Sequence, residues 1–182
     1  MQQNTGFTLI ELLIVALILG MIASVVVPQF NNSTDTARLN TARSTAANIQ
    51  SAIEVYRARL RSYPQGTGTV CNTAPKIEGT DVADVAAGGT PDFKLFVAQL
   101  AFYSNDAGEV CATNTNHPHG PFIKLENGSL PANPVNGKND IRFILPAYSG
   151  IGQAADSATR RSDSKGWVYD VSVGEFAAID KP

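Results

Sequence analysis

From Phe7 to Val27 the chain reads FTLIELLIVALILGMIASVVV, a run without Lys, Arg, Asp, Asn, Gln or His and with a single carboxylate, Glu11. As a helix this run is about 30 Å long, the thickness of a bilayer's hydrocarbon core. A backbone in lipid must satisfy its own hydrogen bonds, so a single span is a helix. The pattern then changes. Leu39, Ala42, Ala46, Ile49, Ile53, Tyr56 and Leu60 recur at alternating steps of three and four, one stripe of an amphipathic helix running to about Arg61. Arg38, Arg43, Gln50, Glu54, Arg57 and Arg61 take the other faces, and Pro64 ends the helix by driving Tyr63 out of helical geometry. Pro28 removes a backbone hydrogen bond between the two stretches and is expected to kink the helix.

Residues 64–89 are Gly, Thr, Asp and Ala with little periodicity, which predicts a long loop with at most a short helical turn. Thr90-Pro91-Asp92 predicts a helix start, with Thr90 as N-cap and Pro91 in the first turn. Phe93, Phe96, Val97, Leu100 and Tyr103 follow at helical spacing and the pattern ends near Asn105-Asp106. Their aromatic stripe reads as core against the amphipathic helix. Asp140 to Leu145 alternates as a strand, and 166–179 reads as a β-hairpin turning at Ser172-Val173-Gly174, with Trp167 and Tyr169 on one face. The fold class is therefore α+β: a long N-terminal helix, transmembrane then amphipathic, packed against a three- or four-stranded antiparallel sheet.

Composition narrows the function. The 182 residues hold fifteen glycines and ten prolines, nearly all beyond residue 63, so a loop-rich globular part follows a helical stem. A net charge of −2 gives no bulk attraction to nucleic acid. Arg160, Arg161 and Lys165 make a small basic patch, offset by Asp156 and Asp163, and no nucleic-acid partner is expected. Cys71 and Cys111 are the only cysteines. In a chain delivered across a membrane they predict a disulfide, closing a loop that the chain-entropy estimate values at about 3–4 kcal/mol. C-x-x-C metal spacing is absent. His117-Pro118-His119, without clustered acids or Cys nearby in sequence, reads as a pair of surface residues. No G-x-S-x-G, P-loop or H-E-x-x-H occurs, so neither enzyme activity nor a cofactor is expected.

Glu11 is the residue that needs an explanation, because an acid among Leu and Ile costs a few kcal/mol in a bilayer. A secretory signal peptide does not account for the segment. Met1 to Gly6 (MQQNTG) lacks a basic residue, the apolar run is too long, and Val25-Val26-Val27 leads into Pro28 rather than a small-residue cleavage site. Gly6-Phe7-Thr8-Leu9-Ile10-Glu11, followed by apolar residues to Pro28, resembles instead the class III prepilin signal of the type IV pilin family, which includes the pseudopilins of type II secretion. The family's leader usually carries Lys or Arg; this one has none.

The resemblance implies a chain of roles. Prepilin peptidase would cut between Gly6 and Phe7 and methylate the new amine of Phe7. Glu11 would meet that amine from a neighbouring subunit in a filament of packed helices. An unpaired buried charge costs about 3–5 kcal/mol whereas an intact pair roughly breaks even, so the pair selects register. Gly20 and Pro28 would bracket a segment able to lose helicity on assembly. The domains expected are a leader (1–6), a transmembrane helix (7–27), an amphipathic stem helix (28–62) and a globular head with a C-terminal hairpin (63–182). The family's calcium loop has candidate ligands in Asp156, Asp163 and Ser164, but Arg160 and Arg161 stand among them and a solvated loop is expected.

The function implied is that of a structural filament subunit, either a type IV pilin for adhesion, motility or DNA uptake, or a type II secretion pseudopilin. A membrane-tethered binding domain that never polymerises is the reading from another class. Partners would be further copies of the chain, prepilin peptidase, the inner-membrane assembly machinery and the membrane. The chain would sit in the bacterial inner membrane as a single-pass protein, then in a filament at the cell surface or in the periplasm.

Overall fold

A 52-residue helix, α1 (Leu9–Leu60), begins one residue after Thr8 and ends where Arg61 adopts a left-handed conformation (φ 59°), three residues ahead of Pro64. The computed structural model describes residues 7–83, 90–144 and 165–180, and the chain divides into two compact units, Met1–Arg38 and Leu39–Pro182. The backbone of α1 is helical through both Gly20 and Pro28.

In the second unit the expected stripe of α1 is the buried one. Ala42, Ala46, Ile49, Ile53 and Tyr56 are all buried, Leu60 packs partly buried beside them, and Ala52 joins the buried set. The remaining elements are β1 (Lys76–Ile77), β2 (Thr80–Asp81), α2 (Phe93–Ala101), β3 (Tyr103–Ser104), β4 (Val110–Cys111), a 3-10 turn (Glu126–Gly128), β5 (Ile141–Ile144), β6 (Trp167–Asp170) and β7 (Glu175–Ala178). β1–β2 and β3–β4 are two-residue antiparallel ladders, too short to leave a periodic trace in the sequence.

Helix α2 starts later than expected. Its N-cap is Asp92, whose carboxylate accepts from the backbone N–H of Lys94 (2.7 Å) and Leu95 (3.3 Å), while Pro91 precedes the cap. It also ends sooner. Phe102 is extended, and Tyr103 pairs with Cys111 in β3–β4 rather than continuing the helical stripe. Leu95, Phe96, Val97 and Leu100 are fully buried, so the core assignment of this helix holds.

The larger sheet runs β5-β6-β7, with β6–β7 the expected antiparallel hairpin and β5–β6 parallel. That parallel pair departs from an all-antiparallel sheet. Alternation within a strand reports which face is buried and says nothing of the partner's direction; the long connection from 145 to 166 is what permits a parallel return. All of β6 is buried, as befits a central strand. Phe96, Phe143, Trp167, Tyr169 and Phe176 form one aromatic cluster, with the Phe96 and Tyr169 centroids 4.6 Å apart and those of Trp167 and Phe176 5.6 Å apart. Buried Asn133 donates to the carbonyls of Gly166 (2.7 Å) and Ile179 (2.8 Å), tying the loop before β5 to the open end of the β6–β7 hairpin. Gln50 of α1 donates to the Gly174 carbonyl (2.9 Å) and accepts from the Phe176 N–H (2.7 Å), so the side-chain amide covers the outer edge of β7. Gly174 (φ 73°) lies against the Tyr63 ring, where any Cβ would collide.

Two tyrosines report on this core. Burial pushes the Tyr56 phenol up to about 12 and raises that of Tyr169 as well, to which Tyr63, Tyr56, Asp170 and Glu54 add. Both folded-state values lie above the roughly 10 of an unfolded chain. Their contribution to stability is whole below about pH 10 and is lost as pH rises through the folded value of Tyr56. In an alkaline titration followed at the phenolate absorbance, Tyr56 and Tyr169 are expected to ionise only together with loss of the far-ultraviolet helical signal.

Candidate functional site

The first unit presents an apolar surface with no cover. Every large hydrophobic side chain from Phe7 to Val26 is between 40% and 82% exposed, and Leu9–Val26 has a mean hydropathy of 2.8. Among the described residues this is the one helix long and apolar enough to cross a membrane. Polar groups inside it are satisfied locally: the Ser24 hydroxyl donates to the Met21 carbonyl at 2.8 Å.

Glu11 lies in the first turn of α1, and its carboxylate is already engaged. Glu11 Oε2 accepts from the Thr8 N–H (2.9 Å) and the Thr8 hydroxyl (2.7 Å), and Thr8 Oγ1 faces the Glu11 N–H at 3.4 Å. This is a capping box, Thr at the cap and Glu three residues on, which satisfies otherwise orphaned donors at the helix start. The signal T-x-x-E for this box is present in the sequence at Thr8 and Glu11. The carboxylate also sits at the positive end of the helix dipole, which favours its charge. Only Oε2 is used in this cap; Oε1 has no partner among the described residues. Gly20 has no steric reason to be glycine within one chain, since a Cβ there would meet nothing within 4 Å.

In the second unit Cys71 and Cys111 are joined as a disulfide. The pairing is prepared by backbone: Cys71 N–H donates to Val110 (3.0 Å) and Ala112 N–H to Thr73 (3.0 Å), setting the two segments side by side. His117 is buried rather than on the surface, with its Nδ1 2.9 Å from the Thr115 carbonyl and its Nε2 3.2 Å from Glu109. His119 pairs with Asp106 at 2.6 Å. Both acids stand in the β3–β4 turn, well before the histidines along the chain, and only the fold brings them together. Cys71, Cys111 and His117 bring ligand-type atoms within 4.8 Å of one another, but both sulfurs are committed to the disulfide and do not form a metal site in this state. The calcium candidates Asp156 and Asp163, with Ser164, Arg160 and Arg161, lie outside the described residues, as do Gly6 and the rest of the leader. Lys165 of the basic patch is paired with Asp140 at 2.7 Å. At the end of β6, Asp170 Oδ1 accepts from the Ser172 N–H and hydroxyl, and Oδ2 is buried without a partner.

Comparison with known proteins adds to this geometry. Residues 1–27 match the model of the prokaryotic N-terminal methylation motif. The type II secretion system core protein G of Pseudomonas aeruginosa is 38% identical over 63 residues, which are 35% of this chain and 44% of that protein. The same-named protein of Vibrio cholerae is 34% identical over 64 residues, 35% of this chain and 44% of the relative. The type IV narrow pilus major component PilA5 of Thermus thermophilus is 39% identical over 63 residues, 35% of this chain and 54% of that protein. The chain thus spans less than half the length of these protein G relatives. No solved structure matches it. The recognition of a pilin-like or pseudopilin-like N-terminus stands on the motif and on relatives of both kinds.

The cap can be tested directly. Thr8→Val, which keeps the shape and removes the hydroxyl, is expected to cost about 1 kcal/mol at the helix start. Amide exchange at Leu9 to Glu11 in micelles should then accelerate by roughly fivefold, with exchange in the second unit unchanged.

Proposed function

We propose that this chain is a structural subunit of a helical filament of the type IV pilus class, cut between Gly6 and Phe7, methylated on Phe7 and assembled through its apolar N-terminal segment. The observation that carries the reading is Glu11: the fifth residue from the cut and the only carboxylate between Phe7 and Val27, among large apolar side chains that are all exposed. Before assembly the bilayer covers that surface and Thr8 caps the acid. In the filament, neighbouring helices replace lipid, and the amine of a second copy reaches the oxygen that the cap leaves unused. Moving apolar side chains from lipid to other apolar helices yields little by itself, so register falls to the polar pair.

Gly20 and Pro28 act in the same step. Glycine lowers helix stability by about 1 kcal/mol relative to alanine, and proline removes a backbone hydrogen bond. The stretch they bracket is the part of α1 with the least to lose if subunit packing demands an extended backbone. The disulfide and the β6–β7 hairpin keep the globular unit folded outside the membrane. In this reading the subunit works by packing, not by turnover.

A pseudopilus of type II secretion is the second reading, supported by the likeness to protein G. A pilus is supported by the likeness to PilA5. Electron microscopy of sheared surface filaments, combined with mass spectrometry of the N-terminus, separates the outcomes. A pilin appears in fibres with methylated Phe7 first; a pseudopilin has the same terminus and is missing from surface fibres; a chain that still begins at Met1 defeats the processing proposal. Glu11→Ala is expected to insert in the membrane normally while its incorporation into filaments falls roughly a hundredfold, because the partner amine is left unpaired. Filament yield unchanged in that variant would refute the role given to Glu11.

A further inference from the structure

The disulfide lies in surroundings that an inert crosslink does not require. Cys111 is 4% exposed whereas Cys71 is half-buried, so an incoming thiol meets Cys71 first. A group able to donate lies beside each sulfur, and the Thr73 carbonyl also faces Cys111 Sγ at 3.6 Å. The Thr73 N–H points at Cys71 Sγ (3.3 Å), and the Thr113 hydroxyl lies 3.7 Å from Cys111 Sγ. A disulfide sulfur is a poor acceptor, and such donors matter far more to a thiolate.

His117 supplies the charge. Its Nδ1 faces the Thr115 carbonyl and its Nε2 the Glu109 carboxylate, and both of these groups only accept. The arrangement is complete when both ring nitrogens carry hydrogen, that is, with an imidazolium. Glu109, which also accepts from Asn105 Nδ2 (2.9 Å), is the carboxylate facing the ring; the neighbouring Asp106 is taken by His119. A nitrogen of His117 lies within 4.8 Å of both sulfurs. A cation beside a sulfur lowers the thiol's pKa and makes it a better leaving group.

We propose that Cys71–Cys111 is an exchange-competent disulfide with a built leaving-group pocket for Cys111, and that its partner is a dithiol–disulfide oxidoreductase. In the opening direction a partner thiolate attacks Cys71 Sγ. The new partner–Cys71 S–S bond forms as the Cys71–Cys111 bond breaks, and the electron pair leaves on Cys111 Sγ as a thiolate facing the His117 imidazolium and the Thr113 hydroxyl. The partner's second thiol, after loss of its proton, displaces Cys71, whose thiolate takes a proton from water. The partner leaves oxidised and the pair reduced. Closure is the reverse: Cys111, held as thiolate, attacks the Cys71–partner mixed disulfide. His117 is a positioning residue that sets the charge around the leaving sulfur. The inference is independent of filament formation.

The test is the rate at which dithiothreitol opens the disulfide in the full chain in micelles at about pH 6, followed by acid quench and mass and corrected for the fraction of reagent present as thiolate. His117→Gln should be about tenfold slower than wild type. Thr113→Val, which leaves the His117–Glu109 contact in place, should be about threefold slower, and His119→Gln should match wild type. Should His117→Gln lower the melting temperature, Thr113→Val carries the test. Wild-type rates in both His117→Gln and Thr113→Val, or faster opening in either, would overturn the proposal.

Discussion

Eighteen consecutive residues of helix with a mean hydropathy of 2.8, none of them buried among the described residues, are the constraint on which this molecule turns. In water that surface would aggregate, and its length and composition suit a bilayer. Lipid tails and leucine side chains solvate a helix about equally well, so apolar contacts alone discriminate weakly among registers. Discrimination has to come from whatever is polar. The chain places there one carboxylate, held at its own helix start by Thr8.

The second unit is organised by opposite means. Its stretch of α1 buries a narrow stripe of small and medium residues, and the bulk of the core is aromatic, delivered by α2, β5, β6 and β7. Long loops between these elements are fixed by side-chain amides: Gln99 between the Gly66 N–H and the Thr67 carbonyl, Asn133 between the strand ends, Gln50 on the hairpin. Each amide donates and accepts at once, so one residue satisfies two backbone groups, and Asn133, which also accepts from the Val135 N–H, three. A unit so rich in glycine and proline is held in shape by such clamps together with the disulfide.

Legibility in the sequence followed the range of the interaction. The stripe from Leu39 to Leu60 and the 166–179 hairpin repeat over several turns or residues and were readable, as was the pairing of the only two cysteines. Helix α2 was found but misplaced at both ends, because Thr90 and Asp92 are both competent caps and because Phe102 and Tyr103 keep an apolar pattern that a strand then uses. Two-residue ladders and the parallel direction of β5 depend on partners far along the chain and left no mark. At the candidate site Glu11 stood out by its cost, while its partner Thr8 was visible as a motif and went unused. The burial of His117 was not legible at all, since Glu109 reaches it only through the β3–β4 fold.

The Gln50 amide on β7 reaches further than the hairpin it steadies. An open strand edge is a template on which another chain can add a strand, and small sheets assemble into fibrils by that route. Here the outward groups at the start of β7, the Gly174 carbonyl and the Phe176 N–H, are occupied by a side chain that has no strand of its own to extend. At the start of β7 the pairing groups that an added strand would need are therefore already taken from within the molecule.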